Sequence, residues 1–119
     1  MDMLLEKLVS DQLKLVEDKL KLLNNYINKS KIYTESKEYA EAIKYQKNCV
    51  NLVKSLFGKE NEIYEAAFGN LYWLKAAEEI KNKKYSKGIT NLKKAIKLAK
   101  NESYVKSMKE LVDVLKDKI

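Results

Sequence analysis

The side chains of this sequence that could perform chemistry are few and poorly grouped. Cys49 is the only cysteine, and the sequence has no histidine that could activate this thiol or bind a transition metal. Carboxylates are adjacent at Glu78 and Glu79, and neighbouring residues of a helix point in different directions. The sequence also lacks Gly-rich phosphate loops and metal-ligand spacings. We therefore expect no enzymatic activity, no cofactor and no metal site.

Lysine is the residue type that could attract a charged partner. All 24 basic residues are lysines, against 17 acidic residues, and residues 81–109 contain ten lysines and a single acid, Glu102. Lysines at helical spacing in this segment form a candidate basic patch: Lys87, Lys93, Lys94, Lys97 and Lys100. Such a patch attracts acidic proteins, nucleic acids or anionic membrane surfaces, although an ordinary solvated helix face is the plainer interpretation. The absence of arginine makes nucleic-acid binding an alternative that we do not favour.

The composition predicts a helical fold, because the sequence has no proline, only three glycines and many Lys, Glu, Leu and Ala residues. Helices must therefore position the groups described above. Apolar residues at spacings of three and four predict one all-α domain over residues 1–119. Its five helices are expected over about residues 3–34, 37–57, 61–82, 85–100 and 103–118. Gly58 is placed to end the second helix, Asn61 to cap the third, and Ser103 to cap the fifth. Asn82 is a candidate for the left-handed residue of the turn after the third helix.

The first predicted helix is unusually long and carries a continuous apolar stripe. A periodic pattern of more than 25 residues is typical of a coiled coil or a helical repeat. The stripe consists of Leu5, Leu8, Val9, Leu13, Val16, Leu20, Leu23 and Ile27, and it continues through Ser30 to Tyr33 and Thr34. It predicts either a cap on the domain or an interface through which residues 3–34 form a homodimer.

An internal repeat appears when the chain is shifted by 46 residues. The shift places Tyr39 on Tyr85, Ala42 on Gly88, Ile43 on Ile89, Cys49 on Ala95, and Ser30 on Ala76. Small residues thus recur where two helices must approach closely. The repeat predicts two stacked helical hairpins and assigns Cys49 to their core rather than to chemistry.

This pattern resembles the tetratricopeptide repeat family. The matching residues are an aromatic or large residue, a small residue and a tyrosine after the turn: Tyr26, Ser30 and Tyr39 in the first repeat, and Trp73, Ala76 and Tyr85 in the second. The segment from Glu38 to Leu74 is most similar to the long repeats of kinesin light chains. The resemblance implies a right-handed array of about two antiparallel hairpins, with the long N-terminal helix and the last helix as caps. Residues 66–119 alone are similar to microtubule-interacting-and-transport domains, but this leaves the first 60 residues unexplained.

The resemblance also implies a binding surface. In tetratricopeptide proteins, the first helix of each hairpin lines a concave surface that receives a peptide or a helix. Transferred by position, this surface contains Asn24, Asn28, Lys31, Asn70, Trp73, Ala77 and Lys81. The alternative is that Trp73 belongs to the core and that the asparagines are merely solvated.

These observations together predict a non-enzymatic adaptor or scaffold that binds another protein. The uncharged stretches are far shorter than the ~20 residues that span a bilayer, so we expect no membrane span. A single cysteine agrees with a reducing compartment, and the expected location is the cytoplasm. The alternatives are a homo-oligomeric structural protein and a binder of nucleic acids or acidic surfaces through residues 81–109.

Overall fold

The computed structural model describes residues 2–119, and every regular element in this range is an α-helix. The helices are α1 (Met3–Glu35), α2 (Tyr39–Phe57), α3 (Glu62–Lys81), α4 (Tyr85–Leu98) and α5 (Glu102–Lys116). Each helix packs against the next one along the chain, which produces an array of helical hairpins. The predicted all-α fold of antiparallel hairpins is therefore confirmed.

Short polar residues and one glycine set the helix ends. Gly58 has a φ of 82° directly after α2, a conformation that a side chain disfavours. The Asn61 side chain accepts a hydrogen bond from the backbone N–H of Ile63 (2.8 Å), so this residue caps α3 as expected. The cap of α5 is Asn101 rather than the predicted Ser103, because α5 begins at Glu102 and the Asn101 side chain accepts from the N–H of Ser103 (3.0 Å).

The turns within the two hairpins have the same conformation, 46 residues apart. Lys37 and Lys83 both adopt a left-handed backbone, with φ values of 62° and 61°. The N–H of Glu38 donates to the carbonyl of Tyr33, and the N–H of Lys84 donates to that of Glu79, both at 2.8 Å. Asn82, the residue expected to be left-handed, has a φ of −88° instead. The repeat seen in the sequence is thus a repeat of backbone geometry.

Small residues allow the helices of each hairpin to approach closely. Ala42 and Ala76 are fully buried. A β-carbon added to Gly88 would lie 2.9 Å from Cγ1 of Ile80, so glycine is the residue that fits between α3 and α4. These positions are related by the 46-residue shift, since Gly88 corresponds to Ala42. The sequence pattern of small residues therefore marks the helix crossings.

The core is a series of three apolar clusters along the array. The first contains Leu23, Cys49 and Val53, and lies between α1 and α2. The second centres on Leu71 and Leu74 of α3, where α2 packs. The third joins α3, α4 and α5 through Ala76, Ile89, Leu92, Ala95, Met108, Val112 and Leu115. Trp73 packs against both the second and the third cluster, so it connects the two hairpins.

The molecule is elongated because α1 extends past its partner. The radius of gyration is 18.0 Å and the extents are 68 × 25 × 19 Å, whereas a compact chain of this length has a radius of gyration of about 13.5 Å. At 1.5 Å per residue, α1 is about 50 Å long and α2 only about 28 Å. The first buried residue of α1 is Leu23. Residues 3–18, which we call the arm, project beyond α2 with their apolar stripe exposed.

The predicted long helix over residues 3–34 is therefore present as one continuous element. Its stripe is only partly buried, because Leu23 and Ser30 pack in the core whereas Ile27 and the six stripe residues from Leu5 to Leu20 are exposed to solvent. None of the helices between residues 2 and 119 has the length and hydropathy needed to cross a membrane. The exposed N-terminal part of the stripe is a large apolar surface that packs against no other part of residues 2–119.

Candidate functional site

A groove of about 630 Å³ opens along the face of α3 that is turned away from α2. The C-terminal end of α1 contributes Thr34, and the first turns of α5 contribute Tyr104 and Met108. The remaining lining residues come from α3, α4 and the connection after α4: Glu62, Ala66, Gly69, Asn70, Trp73, Ala95, Leu98, Ala99, Lys100 and Asn101. The groove therefore has a mainly apolar floor and a few polar side chains at its rim, as is typical of binding sites.

A second depression of about 350 Å³ continues from the groove along α3. Trp73 lines both depressions, and the second one also contains Ala77 and Lys81 of α3 and Leu111 of α5. The α3 residues of the two depressions recur at spacings of three and four, so they occupy one side of the helix. We call this continuous surface the concave face. It extends over α3 from Glu62 to Lys81.

Trp73 is the central side chain of the concave face. It is half-buried, because part of its ring packs against the clusters of both hairpins while another part lines the groove. Tyr104 stands at the rim with 68% of its surface exposed. Both aromatic residues can thus offer apolar area to a partner without leaving their places in the fold.

Lysines lie at both ends of the concave face. At one end, the Lys100 Nζ is 3.0 Å from Glu62 Oε1 and 3.6 Å from Glu65 Oε2. The hydrogen bond to Glu62, together with its charge, raises the pKa of Lys100. At the other end, the Lys81 Nζ donates to the backbone carbonyl of Lys37 (2.9 Å) and lies over the ring of Tyr39. An ammonium has three N–H groups, so Lys81 retains donors for a ligand.

The structure places four of the seven predicted binding residues on the concave face. Asn70 and Trp73 line the groove, and Trp73, Ala77 and Lys81 line the second depression. Asn24, Asn28 and Lys31 are exposed on α1 and line neither depression. The structure therefore does not bring these three residues together with the other four.

The concave face also contains residues that were not predicted from the sequence. Tyr104, Met108 and Leu111 come from α5, which had been assigned only a capping role. The order of the helices could have indicated their position, because α5 follows the second hairpin in the same way that α3 follows the first. By this order α5 is the first helix of a further hairpin, and its inner residues belong on the same surface as Trp73.

The predicted basic patch divides into two parts. Lys87, Lys93, Lys94 and Lys97 are exposed on α4 and line no part of the groove. Lys94 lies over the ring of Tyr72, with Nζ 5.4 Å from the ring centroid. Lys100 is at the groove and is paired with Glu62. The lysines on the outer side of α4 are thus a surface separate from the concave face.

Cys49 should react slowly with thiol reagents in the folded protein. It is 2% exposed, and burial raises its pKa from 9.0 to about 11. Since the thiolate is the reactive form, at pH 8 the raised pKa alone lowers the reactive fraction about 100-fold. We expect labelling by iodoacetamide to be at least ~100-fold slower in buffer than in urea. Equal rates would contradict the assignment of Cys49 to the core.

Comparisons of the chain with protein-family models, curated proteins and solved structures gave no match. Within residues 2–119, no group of three or more Cys, Asp or Glu side chains is arranged to hold a metal ion. The geometry of the concave face and of the arm is accordingly the basis for assigning a function.

Proposed function

We propose that this protein is a non-enzymatic interaction module, an adaptor or scaffold, that binds an amphipathic helix of a partner protein on its concave face. The observation that carries this proposal is the open groove of about 630 Å³ around the half-buried Trp73. Leu71, Leu74 and Ala76 of α3 are buried in the clusters between the helices, whereas this apolar surface is open. A helix laid into a hydrophobic groove is a recurrent mode of peptide recognition.

The composition of the concave face specifies the chemistry of the partner. Its floor, with Ala66, Trp73 and Met108, calls for a stripe of apolar side chains. Lys81 at one end retains free donors, whereas Lys100 at the other end is already paired with Glu62. A carboxylate beside that stripe at the Lys81 end would therefore add favourable electrostatics and fix the orientation. The preferred partner is therefore an amphipathic helix whose apolar stripe is bordered by acidic residues.

The repeat supports a tetratricopeptide-like interpretation of the array. The two hairpins share turn geometry and small residues at the crossings, and the concave face runs along α3, the first helix of the second hairpin. We also propose a cytoplasmic location, for which the unpaired, buried thiol of Cys49 is the supporting observation.

A fluorescence titration tests the proposal. Trp73 is the only tryptophan of the chain, so its emission reports on the groove alone. The probe is a synthetic amphipathic helix of about 20 residues with leucines on one side and glutamates beside them; the control is a scrambled peptide of the same composition. We expect a saturable blue shift with the amphipathic probe, because docking removes water from the Trp73 ring.

Two variants define the site of binding. Ala66→Glu and Tyr104→Glu add carboxylates at exposed positions of the groove, and we expect each to weaken binding of the probe at least about tenfold. Thr90→Glu adds the same charge on the outer side of α4, where Lys93 and Lys94 lie, and should leave the affinity unchanged. Equal binding of the scrambled peptide, or a loss only with Thr90→Glu, would overturn the proposal.

A further inference from the structure

The arm presents a broad apolar surface that no other part of residues 2–119 covers. Leu5, Leu8, Val9, Leu15 and Val16 are each about half exposed, and together with Leu4 and Leu13 they occupy half the circumference of the helix. Contiguous exposed apolar surface of this kind is uncommon on monomeric proteins and usually marks an interaction site. The arm therefore has the properties of a docking element.

Carboxylates border this apolar surface on both sides. By helical spacing, Glu6 and Glu17 lie beside Leu13, and Asp11 and Asp18 lie beside Leu15 on the opposite border. Residues 2–18 contain five carboxylates and two lysines, whereas residues 81–109 contain ten lysines and one carboxylate. The arm is thus an acid-bordered amphipathic helix attached to a basic body.

Pairing of two arms with each other is disfavoured by these borders. In a helix pair, the residues beside the apolar seam of one chain face those beside the seam of the other. Because both borders carry carboxylates, Glu6 and Glu17 would oppose acidic residues in a parallel or an antiparallel pair. Like charges placed in this way oppose association.

The arm cannot reach the groove of its own chain. Thr34, which lines the groove, lies 18 residues beyond Val16 on the same uninterrupted helix. This separation corresponds to about 27 Å along the axis, so intramolecular docking would require α1 to break. An arm that occupies the groove must therefore belong to another molecule.

We infer that the arm of one copy docks in the groove of a second copy. This inference rests on the proposed function, since it names the partner of the same groove. The apolar side of the arm supplies the stripe that Trp73 and Met108 require, and its borders supply carboxylates for Lys81. Reciprocal exchange of two arms closes a dimer, whereas one-way docking forms open chains.

Sedimentation velocity over a range of chain concentrations tests the inference. We expect the wild-type chain to associate, and Val9→Glu to weaken that association at least tenfold, because it places a carboxylate in the apolar surface of the arm. Ser10→Glu adds the same charge to the polar side of the arm and is the matched control. Tyr104→Glu should weaken association as Val9→Glu does, and Thr90→Glu should not.

Mixing two defective chains separates arm-to-groove docking from pairing of arms. The Val9→Glu chain retains a groove, and the Tyr104→Glu chain retains an arm, so the mixture should form a heterodimer although neither chain associates alone. A dimer lost with Val9→Glu but unaffected by groove variants would overturn the inference in favour of paired arms. A wild-type chain that stays monomeric up to about 200 µM, far above ordinary dimer dissociation constants, would also overturn it.

The failure of this inference can be told apart from that of the proposed function. A monomeric chain whose Trp73 emission still responds to the synthetic acid-bordered helix would overturn only the second copy as partner. A monomeric chain with no such response would overturn both. The Val9→Glu chain leaves the groove free of arms, so its Trp73 emission measures binding of the synthetic helix without competition. It is recorded at the same concentration as that of the wild-type chain.

Discussion

Leu74→Ala is expected to lower the free energy of unfolding by about 3–4 kcal/mol, which is a large part of the stability of a domain of this size. Leu74 has 0% of its surface exposed and lies in the cluster that joins α2 to α3. The substitution removes buried methyl and methylene groups and leaves a cavity that two packed helices cannot easily close. Urea denaturation followed by circular dichroism measures the change.

Leu15→Ala is the matched control for this substitution. Leu15 is 55% exposed on the arm, so the same chemical change should alter the free energy of unfolding by less than about 0.5 kcal/mol. The measurement is made at low chain concentration, so that association does not contribute. Equal effects of the two substitutions would contradict the division of the molecule into a packed array and an uncovered arm.

Ser30 and Gln46 form the buried polar link of the first hairpin, and a double-mutant cycle should show that they depend on each other. The Ser30 Oγ donates to Gln46 Oε1 (3.2 Å), and the Gln46 Nε2 donates to the backbone carbonyl of Ala67 in α3 (2.9 Å). Ser30→Ala removes the donor of a buried amide oxygen, and Gln46→Leu removes the main partner of a buried hydroxyl. Each single change should cost about 1–3 kcal/mol.

The double substitution should cost less than the sum of the two. In the second hairpin, the positions 46 residues later are Ala76 and Leu92, both buried, so the fold already accepts an apolar pair there. We expect a coupling energy of about 1–2 kcal/mol between Ser30→Ala and Gln46→Leu. Ser30→Ala combined with the distant Thr90→Ala should be additive. Additivity in the first cycle would mean that the two side chains act independently.

The helices and most of their ends could be predicted because their causes are local. The apolar period, Gly58 and Asn61 lie within the elements that they specify. The left-handed Lys37 and Lys83 could not be predicted from their residue type, since lysine has no preference for positive φ. Their equal spacing shows that the hairpin geometry imposes this conformation on whichever residue occupies the position.

The candidate site was less predictable because it depends on how the hairpins stack. Trp73, Asn70, Ala77 and Lys81 share one side of a single helix, so their grouping follows from the sequence. Whether α1 contributes Lys31 or Thr34 depends on the rotation of α1 against α2 and α3, which is set by Ser30, Gln46 and the packing around them. Local periodicity contains no information about that rotation.

The exposed arm could be predicted from the lengths of the predicted helices. A helix over residues 3–34 cannot be covered by a partner over residues 37–57, so about one third of its stripe had to lack a neighbour within the hairpin. The sequence did not decide between a cap and an interface. In the structure the arm extends away from the core, as an interface requires.

Site-specific photo-crosslinking in cells tests most directly the claim that the concave face docks an acid-bordered amphipathic helix. A photoreactive phenylalanine analogue replaces Tyr104 at the groove rim, and in a control chain it replaces Thr90 on the outer side of α4. Mass spectrometry then identifies the crosslinked peptides. We predict that the position of Tyr104 captures segments with an apolar stripe bordered by carboxylates, among them residues 2–18 of a second copy. Similar yields and segments from both positions would contradict the claim.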